Sequence, residues 1–346
     1  MRAWRERGAA ARPGDPAVLD EVVRRAAAAG HLPPGAHRHG DEVHREAHAH
    51  PHVGPPADGR PVLGIVGAGA VGTVLGVALR RAGWQVAAVA SRDPGRRERF
   101  RSLVPGARGF AEAAAVLDEC HLAILAVPDD VVAEVAAGIR LYSGQALVHT
   151  SGVHGAEVLR AAMAGGTAAG SFHPLVAFAD LERALAALPG ATIAIEGDED
   201  VLGVLAEMAE SLGAVPVALA PGSKAAYHAA AVLSAGGLVA LLDAVATLAA
   251  RAGLDEAGAL AIYGPLAAQT LGNVRALGVA GALTGPAVRG DSGTVAAHLA
   301  AIEVAAPGVA DVYRALLLRQ VEIAESRRGL APETAARLRD ACAGRA

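Results

Sequence analysis

Cysteine is nearly absent from this sequence. Only Cys120 and Cys342 occur, far apart and without a CxxC spacing, which argues against a disulfide framework and a cysteine zinc site and fits a reducing cytoplasm. An excess of one charge is missing as well. With 31 basic against 35 acidic residues, a formal charge of -4 and a pI of about 6.4, no global field draws nucleic acid or an anionic membrane, and a small-molecule partner is expected. No internal repeat is evident. Residues 1–7 carry charge with no apolar core behind them, which speaks against a secretory signal. Residues 225–242 lack a formally charged side chain and are long enough to raise the question of a membrane. They are nevertheless rich in Ala and Gly, with His228 inside and Asp243 following, and they read as a buried core helix.

What is present in quantity is apolar residues: 53% of 346, ample for two buried cores of moderate size. Residues 1–60 stand apart. They carry His31, His37, His39, His44, His48, His50 and His52 with several prolines and little apolar periodicity, and they read as a disordered extension. Histidine tracts of this kind can capture metal ions, but without fixed geometry the expectation is no metal site. From Pro61 the pattern changes to short apolar runs alternating with helical stretches, the appearance of a parallel sheet covered by helices on both faces. Strands are expected at 61–66, 85–90, 121–127, 146–150 and near 168–171, with helices over 71–82 and 129–139. Two further β-rich runs at 191–196 and 214–219 extend the sheet to about residue 220.

Pro221-Gly222 then punctuates the chain, and Ser223 is a candidate N-cap for a helix from Lys224 to about Arg251. Beyond it only helical patterns follow, broken at Gly253, Gly264-Pro265, 278–281, Gly285-Pro286, Pro307 and Gly329. The expected organisation is thus an extension over 1–60, an α/β domain over 61–220 and an all-helical domain over 221–346. Close helix packing in the last could include a second subunit, giving a homodimer.

The first expected strand runs directly into Gly67-Ala68-Gly69-Ala70-Val71-Gly72. Gly67 allows the tight turn, Gly69 lets the backbone approach a pyrophosphate, and Gly72 lets the helix pack closely on the strand. The helix N-terminus then presents positive partial charge to the phosphates. With an apolar strand before it and an amphipathic helix after it, the loop has the context of a Rossmann dinucleotide site. Twenty residues on, the second strand ends in Ser91-Arg92-Asp93, with Arg96, Arg97 and Arg99 behind. NAD enzymes usually place an acidic side chain there for the ribose 2′-hydroxyl; Ser91 and Arg92 instead suit a 2′-phosphate, so NADP is expected over NAD, with Asp93 as the residue that could reverse the preference.

These features, together with Leu125-Ala126-Val127-Pro128-Asp129, His149-Thr150-Ser151-Gly152, 171–175 (Ser-Phe-His-Pro-Leu) and 283–291 (Leu-Thr-Gly-Pro-Ala-Val-Arg-Gly-Asp), resemble a bacterial family that pairs a Rossmann-like domain with a C-terminal domain of unknown function. The family belongs to the wider set containing pyrroline-5-carboxylate reductase, ketopantoate reductase, prephenate dehydrogenase and the β-hydroxyacid dehydrogenases. The resemblance covers about residues 61–325. It implies a helical domain of the 6-phosphogluconate dehydrogenase C-terminal type, and Ala126, Val127 and Pro128 as further cofactor contacts.

Lys224 and His228 stand at i and i+4, on one face of the helix that opens the second domain. The β-hydroxyacid dehydrogenases are similar, with a catalytic lysine and a substrate-orienting asparagine at this spacing. By that resemblance Lys224 is the proton donor or acceptor and His228 takes the asparagine position, where its own titration near neutrality lets it share the proton role. His173-Pro174 resembles the His-Pro of prephenate dehydrogenases, where histidine polarises the substrate oxygen. Ser151 and Gly152, in a turn after a strand end, are placed to bind a substrate oxygen or the nicotinamide amide, or Ser151 simply caps the helix around 156–163. His149 and His154 flank that turn and read as structural. Arg289 could clamp a substrate carboxylate, with Asp291 orienting it or capping the next helix. The function expected is hydride exchange between NADP(H) and a small carbonyl, imine or hydroxy acid in the cytoplasm. The alternative, kept open by histidine in place of asparagine at 228, is a non-catalytic NADP(H)-binding or sensing protein.

Overall fold

The computed structural model describes residues 59–163 and 165–344, and the backbone of Arg38–His39 and Glu42–Val43, which pair as a two-stranded antiparallel ladder. The rest of the His-rich extension, and with it the question of metal capture there, lies outside the described residues. The chain divides into two compact units, residues 1–231 and 232–346. The division falls beyond the Pro221-Gly222 punctuation, so the first turns of the helix opening at Lys224 belong with the sheet.

The first unit is built on an eight-stranded sheet. In chain order the strands are β1 (Leu63–Val66), β2 (Val86–Ala90), β3 (Arg108–Phe110), β4 (Leu122–Leu125), β5 (Ala146–His149), β6 (Ala168–Pro174), β7 (Thr192–Gly197) and β8 (Val215–Ala218). Their spatial order is β3-β2-β1-β4-β5-β6-β7-β8. The first six are parallel and reproduce the doubly wound order in which the reversal falls between β1 and β4. β1 is Leu-Gly-Ile-Val with every residue buried, the continuous apolar run expected of a strand covered on both faces. β3 escapes the periodicity reading because only three residues form it and two of them are exposed.

The sheet is not parallel throughout. β7 runs antiparallel to β6, with Ser171 opposite Glu196 and Phe172 opposite Ile195, and β8 then runs parallel to β7. The connection from β6 to β7 is the seven-residue helix Leu181–Ala187, and the reversal sets the side chains of β7 beside those of β6 at the end of the sheet where ligands collect.

Two helices position the cofactor end. α1 (Ala70–Arg81) begins at Gly69 and packs Val74, Leu75, Val77 and Leu79 onto the sheet. α2 (Pro94–Leu103) begins at Asp93, whose carboxylate accepts from the Gly95 and Arg96 amides, and carries Pro at its first position. Between β4 and β5 a 3-10 turn (Asp129–Val131) leads into a short α-helix (Val132–Ala137), splitting the single helix expected over 129–139.

The expected helix from Lys224 to Arg251 is likewise two: Lys224–Ser234 and Gly236–Ala249, separated at Ala235, whose φ/ψ of -106/-75 leaves the helical run. Ser223 does not cap it; its hydroxyl donates back to the Ala220 carbonyl. The expectation of a buried core helix here is wrong. Leu233 is 74% and Val239 68% exposed, and apolar periodicity read from sequence does not distinguish cover by the same chain from cover by something else. Pro265 does not end the next helix either. Glu256–Ala282 runs through it, losing one backbone bond, and the break sits at Gly278, whose φ of +72 only glycine adopts readily. The remaining helices, Pro286–Arg289, Ser292–Ala305, Pro307–Arg328 and Pro332–Cys342, enclose a small core that includes Ala287, Val295, Leu299, Leu317, Val321 and Leu338.

Candidate active site

The three loop glycines have three different surroundings. Gly67 has φ +108, and a Cβ there would stand 2.2 Å from the Ala126 carbonyl oxygen; at Gly72 it would stand 2.0 Å from the Gly67 oxygen. Both positions are therefore closed by backbone. At Gly69 a Cβ would meet nothing within 4 Å, so the space in front of the α1 N-terminus is open. Closed turn, open middle and closed helix approach are what a pyrophosphate cradle requires, and this loop fits a dinucleotide. Ala68 is buried, and Ala70 and Val71 form the first turn of α1. Ala126 hydrogen-bonds through its amide to the Val66 carbonyl, which brings the Ala126-Val127-Pro128 segment against the same loop.

At the end of β2, Ser91 accepts the Asp93 amide on its hydroxyl, and Arg97 donates to the backbone carbonyls of Ser91 and Arg92. The Asp93 carboxylate is committed to capping α2, with Arg96 at 3.5 Å. Arg92 is exposed, and its side chain makes no hydrogen bond or ion pair among the described residues. The Asp93 carboxylate is thus turned into the helix, and the cation left open at this strand end is Arg92.

A cluster of buried polar side chains lies along β5, β6 and the first turn of the helix at Lys224. Six polar side chains are buried among the described residues, and five of them, His149, Thr150, Ser151, Ser171 and Lys224, are here. Lys224 is 2% exposed; its Nζ donates to the Ser151 carbonyl at 2.8 Å and the Ser171 hydroxyl at 2.7 Å. Burial favours the neutral amine, opposed by the charges of Glu196, Asp129 and Glu157, and brings Lys224 down to about 8. An ammonium has three protons, and two of these are held by fixed oxygens.

His228 and Tyr227 share the face of Lys224. The His228 ring meets His173 edge-on at 5.4 Å between centroids, and Tyr227 meets His173 at 5.9 Å. A Cβ on Gly152 would lie 2.1 Å from His228 Nδ1 and 2.8 Å from His173 Cε1, so glycine is required there for the two rings to close over the turn. His173 Nδ1 donates to the Thr150 carbonyl at 2.9 Å, which leaves Nε2 bare. Burial, then the Lys224 charge, pushes His173 below its ordinary range and keeps it neutral. Three buried polar atoms have no partner among the described residues: His228 Nδ1, the Tyr227 hydroxyl and Glu196 Oε2.

The other sequence candidates have local roles. Ser151 Oγ accepts from the Val153 and His154 amides at 3.2 and 3.1 Å, stabilising the turn, and it is the carbonyl of Ser151 that meets Lys224. The segment Ala156–Ala162 is a 3-10 helix that begins at Gly155, so Ser151 is not its cap. His149 donates from Nε2 to the Gly155 carbonyl and accepts the Ser151 amide on Nδ1; burial and then Lys224 bring it down to about 4, a neutral structural imidazole. His154 contacts the Asp129 carbonyl. In the second unit Arg289 is exposed, and Asp291 caps Ser292–Ala305 by accepting from the Thr294 amide and hydroxyl.

Ser171, Tyr227 and Glu196 were not singled out by sequence reasoning. One compositional signal would have sharpened the choice of Lys224: it is the only lysine in the chain, against thirty arginines. Where a charge alone is needed this protein uses arginine; its single lysine is the one buried cation among the described residues. Arginine cannot be deprotonated in a protein, whereas a buried lysine can.

The fold and the glycine loop define a Rossmann-like domain followed by a helical domain. Residues 52–174 match the family model of the Rossmann-like domain, and residues 191–320 match a domain of unknown function (DUF2520). No curated protein matches the sequence. Among solved structures, the chain is similar to protein TM1727 from Thermotoga maritima, at 27% identity and a TM-score of 0.60 over 77% of this chain and all of that one. It is similar also to a candidate NADP oxidoreductase, BF3122, from Bacteroides fragilis, at 23% identity and a TM-score of 0.64 over 76% and 98% of the two chains. The 1-pyrroline-5-carboxylate reductase of Streptococcus pyogenes shares the fold at 14% identity, with a TM-score of 0.55 over 77% and 99%.

Proposed function

We propose that this protein is an NADP-dependent oxidoreductase that reduces, or in reverse forms, a small C=O or C=N compound, with Lys224 as the proton donor. The observation that carries the reading is the burial of the single lysine at the strand ends, held by the Ser151 carbonyl and the Ser171 hydroxyl. NADPH, when bound at the glycine loop, supplies the hydride. The chain's own residues do the rest. The Ser151 carbonyl and Ser171 hydroxyl aim the ammonium, and its third proton goes to the heteroatom of the substrate as the carbon is reduced. His173, neutral and anchored on Thr150, orients that heteroatom, and His228 with the Tyr227 hydroxyl supplies the unpartnered polar atoms for the rest of the substrate.

The NADP preference is supported by Arg92 and by the engagement of Asp93 in capping, and by the likeness to the Bacteroides fragilis protein. The likeness to pyrroline-5-carboxylate reductase favours cyclic imines among the substrates. The test is NADPH oxidation across small 2-keto acids and cyclic imines, with fluorescence titration of both cofactors. The expected result is turnover with at least one imine or keto acid and tighter binding of NADPH than NADH; tighter NADH binding contradicts the cofactor assignment, and no turnover across the panel contradicts the reaction.

We propose also that the exposed apolar residues Val232, Leu233, Val239, Ile262, Leu266, Leu271 and Leu277 are covered by a second copy of the chain. Lys224–Ala252 is long and apolar enough to cross a membrane by length and composition, but it is divided into helices of 11 and 14 residues, each short of a span of about 20. Its first residue is also held by two buried hydrogen bonds. Light scattering should give twice the 34.6 kDa chain mass; a monomer contradicts this.

A further inference from the structure

We propose that Glu196 is the positioning residue of Lys224: from β7, beside the Ser171 hydroxyl that holds the amine, its buried carboxylate oxygen keeps the ammonium charged. The inference rests on the reading of Lys224 as proton donor and deepens it.

Placement comes first. Glu196 is the cross-strand partner of Ser171 in the antiparallel β6–β7 pair, so the two side chains stand side by side on one face. Ser171 Oγ is at the same time the 2.7 Å partner of Lys224 Nζ. The carboxylate is therefore next to the residue that holds the amine. Its two oxygens differ. Oε1 accepts the Ala156 amide at 3.4 Å, while Oε2 is buried and has no hydrogen-bond partner among the described residues. A buried carboxylate oxygen without a donor is unfavourable unless a positive charge compensates it, and Lys224 is the one buried cation among those residues. The compensation is mutual, since an ammonium stripped of water loses its proton unless a negative charge stays near.

Other groups around the amine do not have this combination. Asp129, in the 3-10 turn after β4, and Glu157, in the 3-10 helix after β5, act on Lys224 with the same sign but less strongly than Glu196, and Glu157 is exposed to solvent. His149 on β5 and His173 on β6 are held neutral, and His228 and Tyr227 lie on the lysine's own helix. The antiparallel turn of β7 is what brings a carboxylate here: in a sheet that stayed parallel, position 196 would not face Ser171.

Because the chain has one lysine, protein grown with lysine labelled by carbon-13 at Cε gives a single side-chain resonance, and its position against pH reports the Lys224 amine with no substrate present. Glu196→Gln keeps the Oε1 acceptor for Ala156 and removes only the charge. The expected result is a midpoint lowered by about one pH unit, the low end of the effect of an adjacent opposite charge, with the alkaline limb of turnover moving by the same amount. Glu196→Asp, which keeps the charge but withdraws it, should fall between the two; it carries the test if the Gln variant does not fold, which its resonance would reveal by titrating at the free-lysine value of 10.5. Midpoints unchanged from wild type in the folded variants overturn the role of Glu196 and leave the proton-donor reading intact. A wild-type midpoint at 10.5 overturns the proton-donor reading itself.

Discussion

Lys224→Met should lower turnover by about a hundred- to ten-thousand-fold, the usual contribution of a positioned general acid, while leaving NADPH affinity close to wild type and the protein folded, with only a modest loss of thermal stability. The stability half of this expectation follows from the direction in which burial moves the lysine. A basic group whose folded value lies below its unfolded one binds fewer protons when folded, so it destabilises the fold below about pH 8, and the cost fades as pH rises toward 10.5. At pH 7 that cost is roughly 3 kcal/mol, since each pH unit separating the folded and unfolded values is worth about 1.4 kcal/mol. Methionine removes it but leaves the Ser151 carbonyl and the Ser171 hydroxyl short of a donor, a loss of about 1–3 kcal/mol each, and leaves the buried Glu196 oxygen without its compensating cation, so the variant should melt somewhat below wild type. A lysine kept for structure alone would show stability lost and turnover of the folded variant kept. Lys224→Arg should be as inactive as the Met variant, because a guanidinium keeps the charge and cannot release the proton. Steady-state kinetics, cofactor titration and thermal melts on the three proteins check all of this; turnover unchanged in Lys224→Met removes the lysine from the mechanism.

The second large effect separates the cofactor from the fold. Gly69→Ala places its methyl in open space, so the melting temperature should stay within a few degrees of wild type, while NADPH binding weakens by about ten- to a hundred-fold because the methyl stands where a phosphate must approach the backbone. Gly67→Ala drives its methyl to 2.2 Å from the Ala126 oxygen at a φ of +108, so it should lose both binding and several degrees of stability. If the two variants melt alike and bind alike, the loop is a structural turn and its glycines do not form a phosphate cradle.

Much of this arrangement was legible beforehand because it depends on local rules. The glycine loop announces itself through the strand Leu63–Val66 before it and the helix Ala70–Arg81 after it, and the pair Lys224 and His228 through helical spacing. What was not legible depends on contacts between distant segments. Nothing near position 196 indicates that β7 turns antiparallel and sets Glu196 opposite Ser171; that pairing is a property of the sheet. Nor does the sequence around Ser151 reveal that its carbonyl, and not its hydroxyl, receives the lysine, because the choice is made by the turn at Val153 and His154. The exposed run after Leu233 misleads for a related reason, since an apolar helix looks the same whether its cover comes from within the chain or from another one. The arginine-only composition with a single exception was visible from the start and is the most economical pointer to the site.

That exception also makes the central claim measurable in one experiment. Titrating the single Cε resonance of carbon-13-lysine-labelled wild-type protein should give a midpoint of about 8, the mark of a desolvated amine ready to donate near neutral pH. A midpoint at the ordinary 10.5 would mean that Lys224 is a solvated surface cation, and the assignment of the proton donor would be wrong.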